Sequence, residues 1–285
     1  MRRSLLFIPG NNPGMLQNAT LFSADTIILD LEDAVNITQK DSARILVREY
    51  LAASPSDTEI AIRINGMDTP FYQEDLQEIV SDNIDTIMVP KARYGDLQLL
   101  SNILTDIEKQ KRLKKTIKLI PIIELAISLL EVESIAALER VDGILLGAED
   151  LTSDMETIRT ELGREIEYPR AKIAIAAIAH KIDAIDTPYT NTNSEEGLIR
   201  DAKTALGLAM NAKACIHPRQ IPIVNEIFSP TKAAIEEASK VIAAAKEAAA
   251  NNIGVFSIGG KMVDKPIIER SEKILAKAKK FGLLP

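Results

Sequence analysis

The chain of 285 residues has one cysteine, no tryptophan and only two histidines. A single thiol excludes a disulfide framework and a thiolate metal cluster. Cys215 falls inside an apolar run, which reads as a packed thiol rather than a nucleophile. Aromatic residues make up 4% of the chain, so the ring platforms that sugars stack on are scarce. The formal net charge of −7 leaves no basic footprint for nucleic acid. The one basic run, 109–115 (KQKRLKK), reads as a solvated helix end whose cations suit the dipole. Long hydrophobic runs are missing too. Arg2 and Arg3 precede an apolar stretch at 4–8, but it is too short for an export signal and breaks at Pro9-Gly10. No charge occurs from 4 to 24, yet Pro9, Asn11, Asn12 and Pro13 exclude a spanning helix there. A cytoplasmic protein is expected.

What the chain does have is repetition. Eight short apolar runs recur at intervals of about one strand plus one helix: 4–10 (SLLFIPG), 26–33 (TIILDLED), 59–66 (EIAIRING), 86–91 (TIMVPK), 118–124 (KLIPIIE), 143–150 (GILLGAED), 182–187 (IDAIDT) and 213–218 (KACIHP). Strand–helix alternation implies an α/β fold with a parallel sheet, and eight repeats predict a closed (β/α)₈ TIM barrel. The barrel is expected over 1–228. A C-terminal helical extension follows over 229–285, with helices at 231–250 and 267–281 joined by a link at 251–261 and a turn at Asp264-Lys265-Pro266. That extension packs either on its own barrel or on a neighbouring subunit.

In such a barrel the loops at the C-terminal strand ends build the active site. Those ends carry Asp33, Arg63, Lys91, Glu124 and Asp150. Asn12 before Pro13 is a good N-cap with proline at the first helical position. In 30–33, alternation puts Asp30 and Glu32 on one face and Leu31 and Asp33 on the other. Carboxylates so close repel one another unless a cation or arginine is near. Arg63, flanked by isoleucines, needs a partner: either the acidic cluster of the second strand or a substrate carboxylate held bidentately. Glu124 and Asp150 end adjacent strands and lie side by side. Two carboxylates with water and substrate suit Mg²⁺; a retaining glycosidase pair is the competing use, disfavoured by the few aromatics. Gly147 and Ala148 let backbone N–H groups approach a ligand. His217 serves as a base or, with more weight, as a structural residue, and His180 reads as structural. Asp264, on the tail, is a lid candidate.

The runs 4–10 (SLLFIPG), 30–35 (DLEDAV), 63–65 (RIN), Pro90-Lys91, 147–150 (GAED), 218–220 (PRQ) and 260–264 (GKMVD) together resemble the HpcH/HpaI aldolase superfamily, and within it the citrate lyase β-subunit family. The resemblance spans nearly the whole chain. It implies a Mg²⁺-dependent lyase that cleaves a citryl thioester, carried on CoA or on an acyl carrier protein, to oxaloacetate and an acetyl thioester. By the family pattern Glu124 and Asp150 ligate Mg²⁺, and Arg63 holds and polarises the keto-acid end. The backbone of Gly147, Ala148, Glu149 and Asp150 receives the substrate carboxylate, while Glu32 and Asp33 orient metal waters or Arg63. Asp264 is an acid–base group supplied by a neighbouring subunit, so a homo-oligomer, a trimer or hexamer, is implied. Acyl carrier protein and transferase subunits are the further partners.

Two departures from the pattern pull apart. Stand-alone CoA lyases of this superfamily tend to carry basic residues after the first strand, whereas 12–24 has none, which favours a thioester delivered by a partner. His217, where the citrate lyase family often has Asn, leans toward stand-alone malyl-CoA or methylmalyl-CoA lyases, synthases or thioesterases. A non-catalytic scaffold subunit is the remaining class. The intact set of Arg63, Glu124, Asp150 and Asp264 weighs against it.

Overall fold

The computed structural model describes residues 1–54, 56–250, 256–258 and 261–284. Its strands β1 (Ser4–Pro9), β2 (Thr26–Asp30), β3 (Glu59–Arg63), β4 (Thr86–Val89), β5 (Lys118–Ile123), β6 (Gly143–Leu146), β7 (Asp183–Asp186) and β8 (Ala212–Cys215) pair in parallel and close into a barrel in sequence order. Each strand overlaps one predicted run, starting within one residue of it, and the residues behind it turn into the loop. The lumen is packed by Leu5, Ile28, Ala61, Met88, Ile120 and Leu145 among others. Fully burying each large aliphatic side chain of this set contributes about 1.5–3 kcal/mol.

The two N-terminal arginines that mimic an export signal close the barrel floor instead. Arg2 donates to Glu59, to Asp142 at 2.9 Å and to Asp183 at 3.0 Å, and the terminal amino group meets Asp183 at 2.9 Å. Arg3 pairs with Asp25 at 2.9 and 2.7 Å. At the opposite end of β1, Gly10 donates to the Asp30 carbonyl at 2.8 Å, and a Cβ at this position would lie 2.7 Å from that oxygen. Only glycine allows this approach of β1 to β2. Asn12 caps the short helix Pro13–Gln17 as its spacing predicts, accepting from the Met15 N–H.

The chain divides into two compact units, Met1–Asn225 and Glu226–Pro285. In the second, helix Lys232–Ala250 packs along helix Lys265–Lys280. The predicted link at 251–261 lies partly outside the described residues; where it is described, β9 (Phe256–Ile258) and β10 (Lys261–Val263) pair antiparallel. The expected turn at Asp264-Lys265-Pro266 is a helix start. Asp264 is the N-cap, its carboxylate accepting from the Ile267 N–H, and Pro266 sits in the first turn, where its missing N–H costs nothing. Among the described residues no helix is long and apolar enough to cross a membrane.

Candidate active site

A cavity of about 430 Å³ opens at the C-terminal end of the barrel, and seven of the eight strand ends contribute to it. Its lining divides by chemistry. It includes the charged Asp30, Asp33, Arg63, Glu124, Glu149 and Asp150 and the apolar Phe7, Leu145, Pro188 and Ile216. Five carboxylates against one guanidinium is an arrangement that calls for a cation.

Arg63 at the end of β3 is paired in register with Asp30 at the end of β2. Its Nε donates to Asp30 Oδ1 at 2.7 Å and its Nη2 to Asp30 Oδ2 at 2.5 Å, a fork-to-fork contact. Of the two partners the sequence allows for Arg63, the structure therefore supplies the acidic cluster. Asp30 is in turn held by the Glu32 N–H at 2.9 Å and the Ala34 N–H at 3.1 Å, so the turn after β2 and the guanidinium form one rigid piece. Lys40 fixes the same turn by donating to the carbonyls of Leu31 and Glu32 at 2.8 and 2.7 Å. Phe7 lies against the guanidinium face, 5.0 Å from ring centre to carbon. The remaining nitrogen, Nη1, lies 3.0 Å from Glu32 Oε2 and 3.3 Å from Asp33 Oδ2. Asp33 is 68% exposed and free to yield its place to another oxygen. Glu32 Oε2 is buried without a hydrogen bond, and burial pushes the Glu32 carboxyl up to about 8 despite Arg63.

Glu124 follows β5. Its Oε1 accepts the Lys91 N–H at 2.5 Å, an orientation Lys91 achieves with φ +47. That left-handed backbone costs about 1 kcal/mol in a non-glycine residue. Burial raises the Glu124 carboxyl to about 7, the negative charge of Asp150 adds to the shift, and the Lys91 bond opposes it. Gly147, after β6, permits the contact: a Cβ there would lie 2.6 Å from Glu124 Oε2 and 2.7 Å from its Cβ. Asp150 stands exposed in the first turn of helix Ala148–Asp154, and Glu149 beside it pairs with Arg159 at 3.5 Å.

The backbone of 147–150 is only half available to a ligand. Gly147 N–H donates to the Ile123 carbonyl at 3.0 Å and Ala148 N–H to Thr187 Oγ1 at 3.3 Å. The N–H groups of Glu149 and Asp150 fall in a helical first turn, which supplies no intrahelical acceptor. Asp264 belongs to the second unit. His217 Nδ1 accepts the Arg219 N–H at 3.1 Å, a local turn contact. Cys215 is buried and its thiol is pushed up to about 12, which keeps it protonated.

One feature near the site escaped the sequence reading and another was read only in part. The acidic cluster was named as a partner for Arg63, but singling out Asp30 within it needed the strand register. A buried set of charges behind β7 and β8, Arg170, Asp186, Asp201 and Lys213, joins residues up to 43 positions apart and had only Asp186 and Lys213 within apolar runs as a hint.

The family described as HpcH/HpaI aldolase/citrate lyase matches residues 3–218, and one described as C-C bond lyase of the TIM-barrel fold matches 167–283. The citrate lyase subunit beta of Leuconostoc mesenteroides subsp. cremoris is 42% identical over 279 residues, covering 96% of this chain and 92% of that protein. Among solved structures, the CitE protein of Mycobacterium tuberculosis in complex with magnesium, acetoacetate and coenzyme A superimposes with a TM-score of 0.79 at 28% identity, covering 98% of both chains. The citrate lyase beta subunit of the same organism complexed with oxaloacetate and magnesium gives 0.68 at 29% identity, covering 80% of this chain and 97% of that one.

Proposed function

This chain belongs to the HpcH/HpaI aldolase/citrate lyase family, and on that premise we propose that it cleaves a citryl thioester to oxaloacetate and an acetyl thioester as a citrate lyase β subunit. It is a carbon–carbon lyase. The observation that carries the reading is one cavity lined by an arginine anchored on Asp30 and by the carboxylates of Glu124 and Asp150, in a chain this similar to citrate lyase β subunits. EDTA-sensitive release of oxaloacetate from citryl-CoA is its direct test.

The donor set fits Mg²⁺. Glu124 and Asp150 offer hard oxygen ligands. The repulsion that helps raise Glu124 is relieved by a cation. Two protein carboxylates would leave the remaining ligand positions to water and substrate oxygens, the habit of this ion. When bound, Mg²⁺ would supply Lewis-acid stabilisation of charge on the oxygen that becomes the oxaloacetate ketone.

The rest of the chemistry falls to the chain. Cleavage removes the proton of the tertiary alcohol and breaks the bond between that carbon and the thioester α-carbon. The electron pair passes to a thioester enolate, which is then protonated. Arg63 Nη1, presented by the Asp30 fork, donates to the keto-acid oxygen once Asp33 gives way. The first-turn N–H groups of Glu149 and Asp150 orient a substrate carboxylate. Glu32 supports Arg63. Asp264 is the acid–base group, contributed by a neighbouring copy in a homo-oligomer, and the thioester arrives on an acyl carrier subunit of the same complex. The reading implies a cytoplasmic protein.

Sharing of Asp264 between copies has a clean test. Arg63→Ala and Asp264→Ala chains are each expected to be inactive alone and to recover measurable turnover when mixed and reassembled. Confirmed mixed oligomers without recovery would contradict a shared site.

A further inference from the structure

The glutamine of the 218–220 motif takes no part in the charged lining of the cavity, yet it is buried and makes three hydrogen bonds. Gln220 Oε1 accepts the Ile216 N–H at 2.9 Å and the His217 N–H at 3.3 Å, while Nε2 donates to the Tyr189 carbonyl at 2.8 Å. The first two partners follow β8 and the third follows β7, so one side chain bridges two mouth loops. Tyr189 fits beneath because position 197 is glycine; a Cβ there would lie 1.9 Å from its hydroxyl.

The β7 loop has a second anchor. Lys213 Nζ donates to the Thr187 carbonyl at 2.7 Å and to Asp186 and Asp201 at 2.5 Å each, using all three of its protons. Arg170 completes this set with bonds to both aspartates. Buried charges rarely stabilise a fold more than well-packed apolar side chains do. Here the set clamps a backbone carbonyl beside the cavity, which an apolar core cannot do.

Beside these anchors stand Pro188 and Ile216, apolar members of the cavity lining contributed by the loops after β7 and β8. Ile216 is 40% exposed, an isoleucine held rigidly at the cavity lip with solvent in front of it. The keto-acid half of the substrate is charged and belongs with Arg63. The uncharged half needs apolar lining.

We propose that Gln220 is a positioning residue that fixes Pro188 and Ile216 as an apolar wall, and that this wall receives the alkyl-amide arm adjoining the thioester sulfur, the portion common to CoA and a carrier-bound prosthetic group. The inference rests on the thioester reading above. Because Gln220→Leu leaves a buried N–H and carbonyl unpaired and risks unfolding, two milder variants carry the test. Ile216→Ser alters a half-exposed side chain, and Gln220→Asn keeps both amide functions on a side chain one methylene shorter, which loosens the bridge to Tyr189 without burying a charge. Both are expected to retain the wild-type melting temperature within a few degrees and kcat within about threefold. KM for citryl-CoA rises about tenfold, the scale of a lost hydrophobic contact, and inhibition by oxaloacetate is unchanged. An unchanged KM in folded Ile216→Ser, or an equal loss of oxaloacetate inhibition, overturns the proposal. Wild-type protein that releases no oxaloacetate sinks the thioester-lyase reading instead. The wall is then judged by S-acetylpantetheine binding in ligand-observed NMR, which Ile216→Ser must weaken for the wall to stand.

Discussion

Glu124→Gln and Asp150→Asn are each expected to lower Mg²⁺-dependent turnover about 1,000-fold or more while leaving the fold intact. The magnitude follows from losing several kcal/mol of charge stabilisation, with each 1.36 kcal/mol worth a factor of ten. The fold survives Glu124→Gln because the amide oxygen of the new side chain still accepts the Lys91 N–H, and because the substitution removes a charge that burial and Asp150 make unfavourable. A raised carboxyl stabilises the fold fully below its unfolded value near 4.5, and that contribution is lost as pH rises through about 7. The metal-free wild type therefore forfeits this contribution by about pH 8, whereas Glu124→Gln does not, so the variant's melting temperature there should equal or exceed that of wild type. The same titration sets metal affinity. Calorimetric Mg²⁺ binding to wild type should weaken as pH falls from about 8 to about 6, since protonated Glu124 is a poor ligand. Near-wild-type turnover in either variant, or pH-independent binding, would remove Glu124 and Asp150 from the metal site.

Arg63→Lys, conservative in charge alone, is expected to cost about 100-fold or more in kcat, the scale of removing one transition-state donor. An ammonium cannot span both oxygens of Asp30 and also present a donor to the cavity. It also loses the flat face that lies against Phe7. Asp30, 1% exposed, would be left with part of its charge unpaired. A drop in melting temperature of several degrees should accompany the kinetic loss, on the scale of breaking a buried pair. Loss of stability with turnover preserved would make Arg63 a structural cation and leave the keto-acid end without its proposed donor.

The barrel was legible because its signal is local and repeated. Eight apolar runs of strand length, separated by helix-length spacers, permit few other folds. Each run passed its strand's end by one to four residues because the chemistry sits where strand turns to loop: β6 ends at Leu146, while 147–150 turns into a helix. Glu124 and Asp150 were expected on one rim for the same reason, as equivalent ends of neighbouring strands, and both line the cavity. Less was visible wherever a contact depends on register or distance. Asp30 and Arg63 lie opposite one another in paired strands, and no composition rule separates that from a solvated acidic turn. Gly147 and Ala148 looked like open donors, yet Ile123 and Thr187 already occupy their N–H groups. The β9–β10 pair was missed because two three-residue strands beside glycine carry almost no periodicity.

The central claim is tested most directly by offering the protein (3S)-citryl-CoA with Mg²⁺ and then with EDTA, reading oxaloacetate through malate dehydrogenase and NADH. Oxaloacetate release that EDTA abolishes and added Mg²⁺ restores is the predicted result. No release under either condition from folded, metal-loaded protein, or release indifferent to EDTA, would contradict it.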